Sequence, residues 1–167
     1  SAYIVITVIL KGLAYQQFKN ALDEQNIVYS EIQTRPSPMN TILWSANVDV
    51  GDKYLLANYS FFDSQPITFD PYAMNNDLLG NWKKDENVQR MIAISEGWYT
   101  IHSENDTLYF NDLRFGTLGI KPQSQDFVFK YSMVLNDKGE VEFTELPKKP
   151  EDGKQLLIDL WKRIQGN

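Results

Sequence analysis

The chain has 167 residues, 43% hydrophobic and 13% aromatic, with a formal net charge of −6. Such a composition supports one folded, globular domain with a substantial core and excludes a disordered chain. The acidity, with no basic stripe to offset it, argues against nucleic acid as a partner.

The first feature in chain order is YIVITVIL, an unbroken apolar run from Tyr3 to Leu10, closed by Lys11. The run is too short to span a bilayer, which needs about 20 residues. It also lacks the basic leader and small-residue cleavage pattern of a signal peptide. Two readings stay open: residues 1–12 are the remnant of a transmembrane helix, or the run is an ordinary buried strand or helix start. Residues 13–167 then read as a single soluble domain. Leu13, Ala14, Phe18, Ala21 and Leu22 recur at helical spacing, which predicts an amphipathic helix to Gln25 that can continue from the apolar run.

IVYSEIQT predicts a strand, stopped by RPSPMN, where Pro36 and Pro38 remove two backbone donors. TILWSANVDV alternates, with Ile42, Trp44, Ala46, Val48 and Val50 on one face, as a half-exposed antiparallel strand does. GDK turns the chain into KYLLANYSFFD, apolar on both faces and therefore more central. SQPITFDPYAMNNDLLGNW is irregular and predicts an ordered loop with a short helical piece near Leu78. ENVQRMIAIS predicts a short helix, after which Gly97 permits a turn into the strand WYTIHSE.

TLYFNDLRF returns as the second arm of a hairpin. FVFKYSMVL follows, with Phe127, Phe129, Tyr131, Met133 and Leu135 inward, and NDKG leads tightly into EVEFTEL. PKKPEDG ends the sheet, and LLIDLWKRI predicts a helix whose Leu156, Leu157, Leu160, Trp161 and Ile164 form an apolar stripe. The sum is an α+β fold: a twisted antiparallel sheet of about seven strands in consecutive hairpins, with helices near both ends.

The reactive inventory is small. With no cysteine, disulfides, thiolate nucleophiles and cysteine zinc sites are excluded, and one histidine, His102, excludes a multi-histidine centre within the chain. Only carboxylate chemistry or a carboxylate site for a hard cation is left. His102, near a predicted hairpin turn, reads as an exposed structural histidine. Arg35, Pro36, Pro38 and Asn40 form a rigid turn ahead of Trp44. An arginine beside an indole could clamp an anion, or could satisfy carbonyls freed by the prolines. Asp63 could bind a cation or cap the loop that follows it.

Asp112 and Arg114 share one face if FNDLRFG is a strand. Amid so much apolar surface the favoured reading is a structural ion-pair network, in which Arg35 or Asp63 could join; a reactive site is the alternative.

RPSPMNTILW, YSFFD, SEGWYTI, LYFNDLRFG and FVFKY, in that order over roughly residues 3 to 135, resemble the soluble C-terminal region of a bacterial family. It is the YdjM-like family of inner-membrane proteins, described as membrane-bound metal-dependent hydrolases. The resemblance implies an extramembrane accessory or substrate-facing domain without its own catalytic centre. The divalent metal and its His/Asp motif would belong to an N-terminal multi-helix membrane region, which would also be this domain's partner. The family residues present here are Arg35, Pro36, Pro38, Asn40, Trp44, Asp63, Asp112 and Arg114, with Arg35 departing from the small residue expected there. The alternative is a binding or assembly module that recognises a partner, lipid headgroup or envelope component beside the bilayer; a free-standing carboxylate enzyme comes third.

Overall fold

A computed structural model describes residues 2–37, 40–118, 121–148 and 153–166. The chain divides into two compact units, Ser1–Tyr72 with Gly153–Asn167, and Ala73–Asp152.

The first unit opens with α1, Ala2–Glu24, in which the apolar run and the amphipathic segment form one continuous helix. Its packing on the sheet involves Leu10 and the second half. Ala14, Phe18, Ala21 and Leu22 recur on one helical stripe and are buried. Ala14, Phe18 and Leu22 of this stripe meet Trp44, Ala46, Val48, Leu55 and Ala57 of the sheet. Asn26 stops the helix: at φ 54° it takes the left-handed conformation, and the Ile27 amide reaches back to the Leu22 carbonyl at 2.9 Å.

The sheet of this unit has the order β1-β2-β3-β4, with β1 Glu31–Pro36, β2 Leu43–Asp49, β3 Lys53–Ser60 and β4 Asp70–Ala73. Antiparallel register pairs Trp44 with Tyr59, Ala46 with Ala57 and Val48 with Leu55, so these side chains share the face that α1 covers. Expected as half-exposed, β2 in fact buries Leu43 and Asn47 on its other face as well. β1 starts only at Glu31 and runs through Pro36, which lies opposite Trp44. An edge strand tolerates this proline because its outward amide has no ladder partner to lose. The unit is completed by α3, Gly153–Ile164.

In the second unit a 3-10 helix, Asn76–Lys84, and α2, Glu86–Ile94, precede a sheet of order β5-β6-β7-β8. Its strands are β5 Tyr99–Glu104, β6 Thr107–Thr117, β7 Phe127–Leu135 and β8 Val141–Glu145. Leu79 and Val88 from the helices pack with Tyr99, Ile101, Phe110, Met133 and Val141 from the strands. The rings of Tyr99 and Phe110 stack at 4.9 Å, an arrangement that adds to their area burial. Leu135, expected inward, is exposed at the end of β7.

Asp85 caps α2 by accepting from the amides of Asn87 and Val88, and its other oxygen accepts from the Val141 amide at 3.0 Å. Asn87 donates to the Val141 carbonyl, also at 3.0 Å. Together the two side chains occupy backbone groups of the edge strand β8, which would otherwise be open to pairing.

The α+β class with antiparallel sheets holds, but the sheet count does not. Eight strands among the described residues form two sheets of four, not about seven in one. The segment between Ser60 and Tyr99 holds an added strand and two helices, too much chain for a hairpin connection. Each sheet therefore closes on its own cluster, one around Phe18 and Trp44 and the other around Phe110 and Met133.

Candidate functional site

FNDLRFG lies in β6, where the pairing with β7 breaks: Asp112 faces Phe129, yet Thr117 already faces Phe127. The extra residues bulge out of the ladder, and a bulge re-aims the side chains it carries. Gly116, at φ 69°, supplies the left-handed backbone that the bulge requires. Asp112 Oδ1 accepts from the Arg114 amide at 3.0 Å, and Asp112 Oδ2 accepts from Arg114 Nη2 at 2.7 Å. Both side chains are largely buried, with Asp112 on the core side opposite Tyr99. Glu96 adds a second carboxylate 3.4 Å from Arg114 Nη1. The hydrogen bonds that Arg114 donates to Asp112 raise the guanidinium above its already high ordinary value, so it stays a permanent cation held by two acids.

No sequence pattern singles out Glu96 as a partner of Arg114. It sits at φ 55°, next to Gly97 at φ 80°, so two successive left-handed residues aim its side chain back at β6. The SEG tripeptide signals a turn but not which residue meets which.

In the first unit, Asp63 Oδ2 accepts from the Ser60 amide at 2.9 Å, which caps the turn after β3. The same carboxylate takes a bidentate pair from Arg163 of α3, at 2.8 Å for Nη2 to Oδ2. Arg163 Nη2 also donates to the Asn58 carbonyl at 2.9 Å, and Ser60 Oγ to the Ile164 carbonyl at 2.6 Å. Arg163 interrupts an otherwise apolar inner stripe of Leu156, Leu160 and Ile164, a weak sign that it is paired.

Asn40 Oδ1 accepts from the amides of Ile42 and Leu43, at 3.0 and 2.7 Å, and so fixes the entry to β2. Trp44 is fully buried, and its indole N–H donates to the Thr41 carbonyl at 2.9 Å. Arg35 lies opposite Ser45 in the register, on the other side of the sheet from the neighbouring Trp44, so the two do not build a clamp. Its guanidinium reaches Gln33 Oε1 at 3.1 Å. Pro38 lies outside the described residues. The six candidates thus fall into separate local arrangements: Asp112 with Arg114 in the second unit, and Asp63, Asn40, Trp44 and Arg35 each with other partners in the first.

His102 Nε2 is 3.8 Å from Glu104 at the open end of β5. Among the described residues no group of three or more His, Cys, Asp or Glu could hold a metal ion. One concave feature of the first unit is an open groove of about 480 Å³, lined by Ile27, Val50, Leu55, Phe69 and Pro71 with Asp52 and Lys53.

The exposed surface holds the least expected arrangement. Ile4, Val5, Ile6, Val8 and Ile9 are each 54–64% exposed. At about 100° per residue they point over more than half the circumference of α1, so this end is apolar over more than half of its girth and left uncovered by the described residues. No helix among the described residues is by itself long and apolar enough to cross a membrane.

Comparisons of the chain with protein-family models, curated proteins and solved structures found no match.

Proposed function

We propose that the chain is the extramembrane accessory or substrate-facing domain of a membrane-bound, metal-dependent hydrolase of the kind its motifs resemble, anchored at the bacterial inner membrane and without a catalytic centre of its own. The observation that carries the membrane part is the exposed apolar end of α1. Uncovered apolar surface of this extent on a folded unit marks a contact with lipid or another protein. A helix apolar over more than half of its girth suits hydrocarbon better than a one-sided protein groove.

The accessory part is supported by where the polar candidates spend their bonding capacity. Asp112, Arg114, Asp63 and Asn40 hold turns, a bulge and a helix in place. A catalytic acid or base needs geometry aimed at a substrate, and these groups are aimed at the protein.

The reading frame preceding the Ser1 codon tests the assignment. It is expected to encode several transmembrane helices bearing a His/Asp cluster that binds a divalent metal; a frame without them defeats it. The chain by itself should show no metal-dependent hydrolysis. Turnover lost on Asp112→Asn with the fold retained would make it an enzyme in its own right.

The groove beside Phe69 and Pro71 favours a second reading, a module that binds a partner or envelope component near the membrane. Pro71→Trp, which places an indole in that groove from an exposed edge-strand position, would abolish such binding and leave the membrane contact intact.

A further inference from the structure

The apolar stripe of α3 resolves into two faces. Leu156, Leu160 and Ile164 turn inward, with Arg163 tied to Asp63. Leu157, Ile158 and Trp161 turn outward and are 63%, 40% and 63% exposed. They belong to a second helical row, Lys154, Leu157, Ile158, Trp161, Lys162 and Gln165, at spacings of i, i+3, i+4, i+7, i+8 and i+11, and all six are exposed. Two lysines therefore bracket an apolar patch that contains an indole. The one acid of the helix, Asp159, is half-buried and accepts from Gln155 at 2.8 Å, so the outer face carries positive charge alone. This stands out on a chain whose formal net charge is −6.

We infer that the outer face of α3 is a second membrane contact, lying in the interface of an anionic bilayer with Leu157, Ile158 and Trp161 among the upper acyl chains and Lys154 and Lys162 on lipid phosphates. The proposal rests on the membrane-proximal reading above for its setting, and on its own residues for its chemistry. Tryptophan prefers the headgroup boundary, where its ring is apolar and its N–H stays wet. Lysine side chains beside it extend their charges to the phosphates. An amphipathic helix with these features lies in the plane of the interface.

A second copy of the chain fits the patch less well. Three side chains expose far less than the roughly 800 Å² that each protomer contributes to a stable interface. Pairing two such faces about a two-fold axis would also set lysines against lysines. Both α3 and α1 belong to the first compact unit, so that unit would touch the bilayer through two helices.

The absence of cysteine makes a single reporter simple to place. The chain carrying Ile158→Cys, labelled with an environment-sensitive fluorophore, is mixed with vesicles of phosphatidylcholine and phosphatidylglycerol, 3:1. A Val5→Cys reporter is read in parallel. The reporter at 158 is expected to shift to the blue and to be quenched by lipids brominated near the headgroup. Lys154→Gln and Lys162→Gln should each weaken the anionic-vesicle signal about fivefold, and neutral phosphatidylcholine vesicles should give little. If the reporter at 5 responds and that at 158 does not, the α3 contact is wrong and the α1 reading survives. If 158 responds and 5 does not, the α1 reading fails and the α3 contact stands. A blue shift at 158 that needs no vesicles and grows with protein concentration would assign the face to a second copy and overturn the proposal.

Discussion

Arg163, near the end of α3, and Asp63, in the turn after β3, form a bidentate ion pair across 100 residues of sequence. The carboxylate is 3% exposed and the guanidinium 11%, so neither charge is well hydrated if its partner is lost. The pair joins two segments of the first unit that no hairpin connects, and the bonds to Asn58 and Ser60 hold the helix end to the same strand.

Removing one partner leaves the other largely buried and unpaired. Asp63→Ala is therefore expected to destabilise the first unit by about 3 kcal/mol, a cost typical of breaking rather than replacing such a pair. The double variant Asp63→Ala with Arg163→Met should recover part of that loss. Urea unfolding of the single and double variants measures the coupling; additive effects would mean the pair contributes nothing of its own.

The Asp112–Arg114 pair makes a different prediction, because its role is to shape the bulge. Asp112→Asn loses the charge-assisted bonds while leaving Arg114 with Glu96, so a loss of about 2 kcal/mol is expected. The amide protons of Leu113 to Gly116 should exchange faster with solvent than in the parent. Unchanged exchange there would show that the backbone holds the bulge without the carboxylate.

Much of the first unit can be read from residue order, because its information is local. Leu13 to Leu22 has helical spacing, Trp44 to Val48 alternates, and Gly51 permits the tight connection that follows. The division into two sheets cannot be read this way. PYA, residues 71 to 73, looks like loop because Pro71 and the surrounding Asn and Asp residues carry turn chemistry, yet β4 pairs as an edge strand, where a proline is tolerated. The site shows the same limit. Asp112 and Arg114, two residues apart, can be paired on paper, whereas Glu96 and Arg163 are brought to their partners by tertiary folding alone. Sequence spacing alone does not separate the outer face of α3 from its inner face for a related reason: it marks a stripe but not which edge of it meets the core.

Asp85 carries an acid-side prediction. Bonds from the Val141 amide, and then from those of Val88 and Asn87, hold its pKa below the ordinary 3.8. A lowered folded value means the group favours folding above the unfolded pKa, and that contribution is lost as pH falls through the folded one. Asp85→Ala is expected to cost about 1–2 kcal/mol at neutral pH through the lost cap, and the deficit should shrink below about pH 4. Chemical denaturation of parent and variant at pH 7 and at pH 3 checks this; an equal deficit at both would remove the carboxylate charge from the explanation.

Tyr72 carries an alkaline one. Burial, reinforced by the neighbouring Asp70 carboxylate, pushes its phenol from 10.0 to about 12. The unfolded chain ionises first, so this residue's contribution is intact below pH 10 and is lost as pH rises from there toward about 12. Absorbance titration of Tyr72→Phe against the parent should remove a late-titrating phenol. Loss of one that titrates near its ordinary value would contradict the assignment.

The central claim is that the uncovered end of α1 lies in lipid, and it is tested most directly by a spin label at Ile6→Cys in the chain reconstituted with inner-membrane lipids. The account predicts that the label is reached readily by oxygen, which dissolves in hydrocarbon, and poorly by a water-soluble nickel chelate. A label that the chelate reaches as easily with vesicles as without them would contradict it.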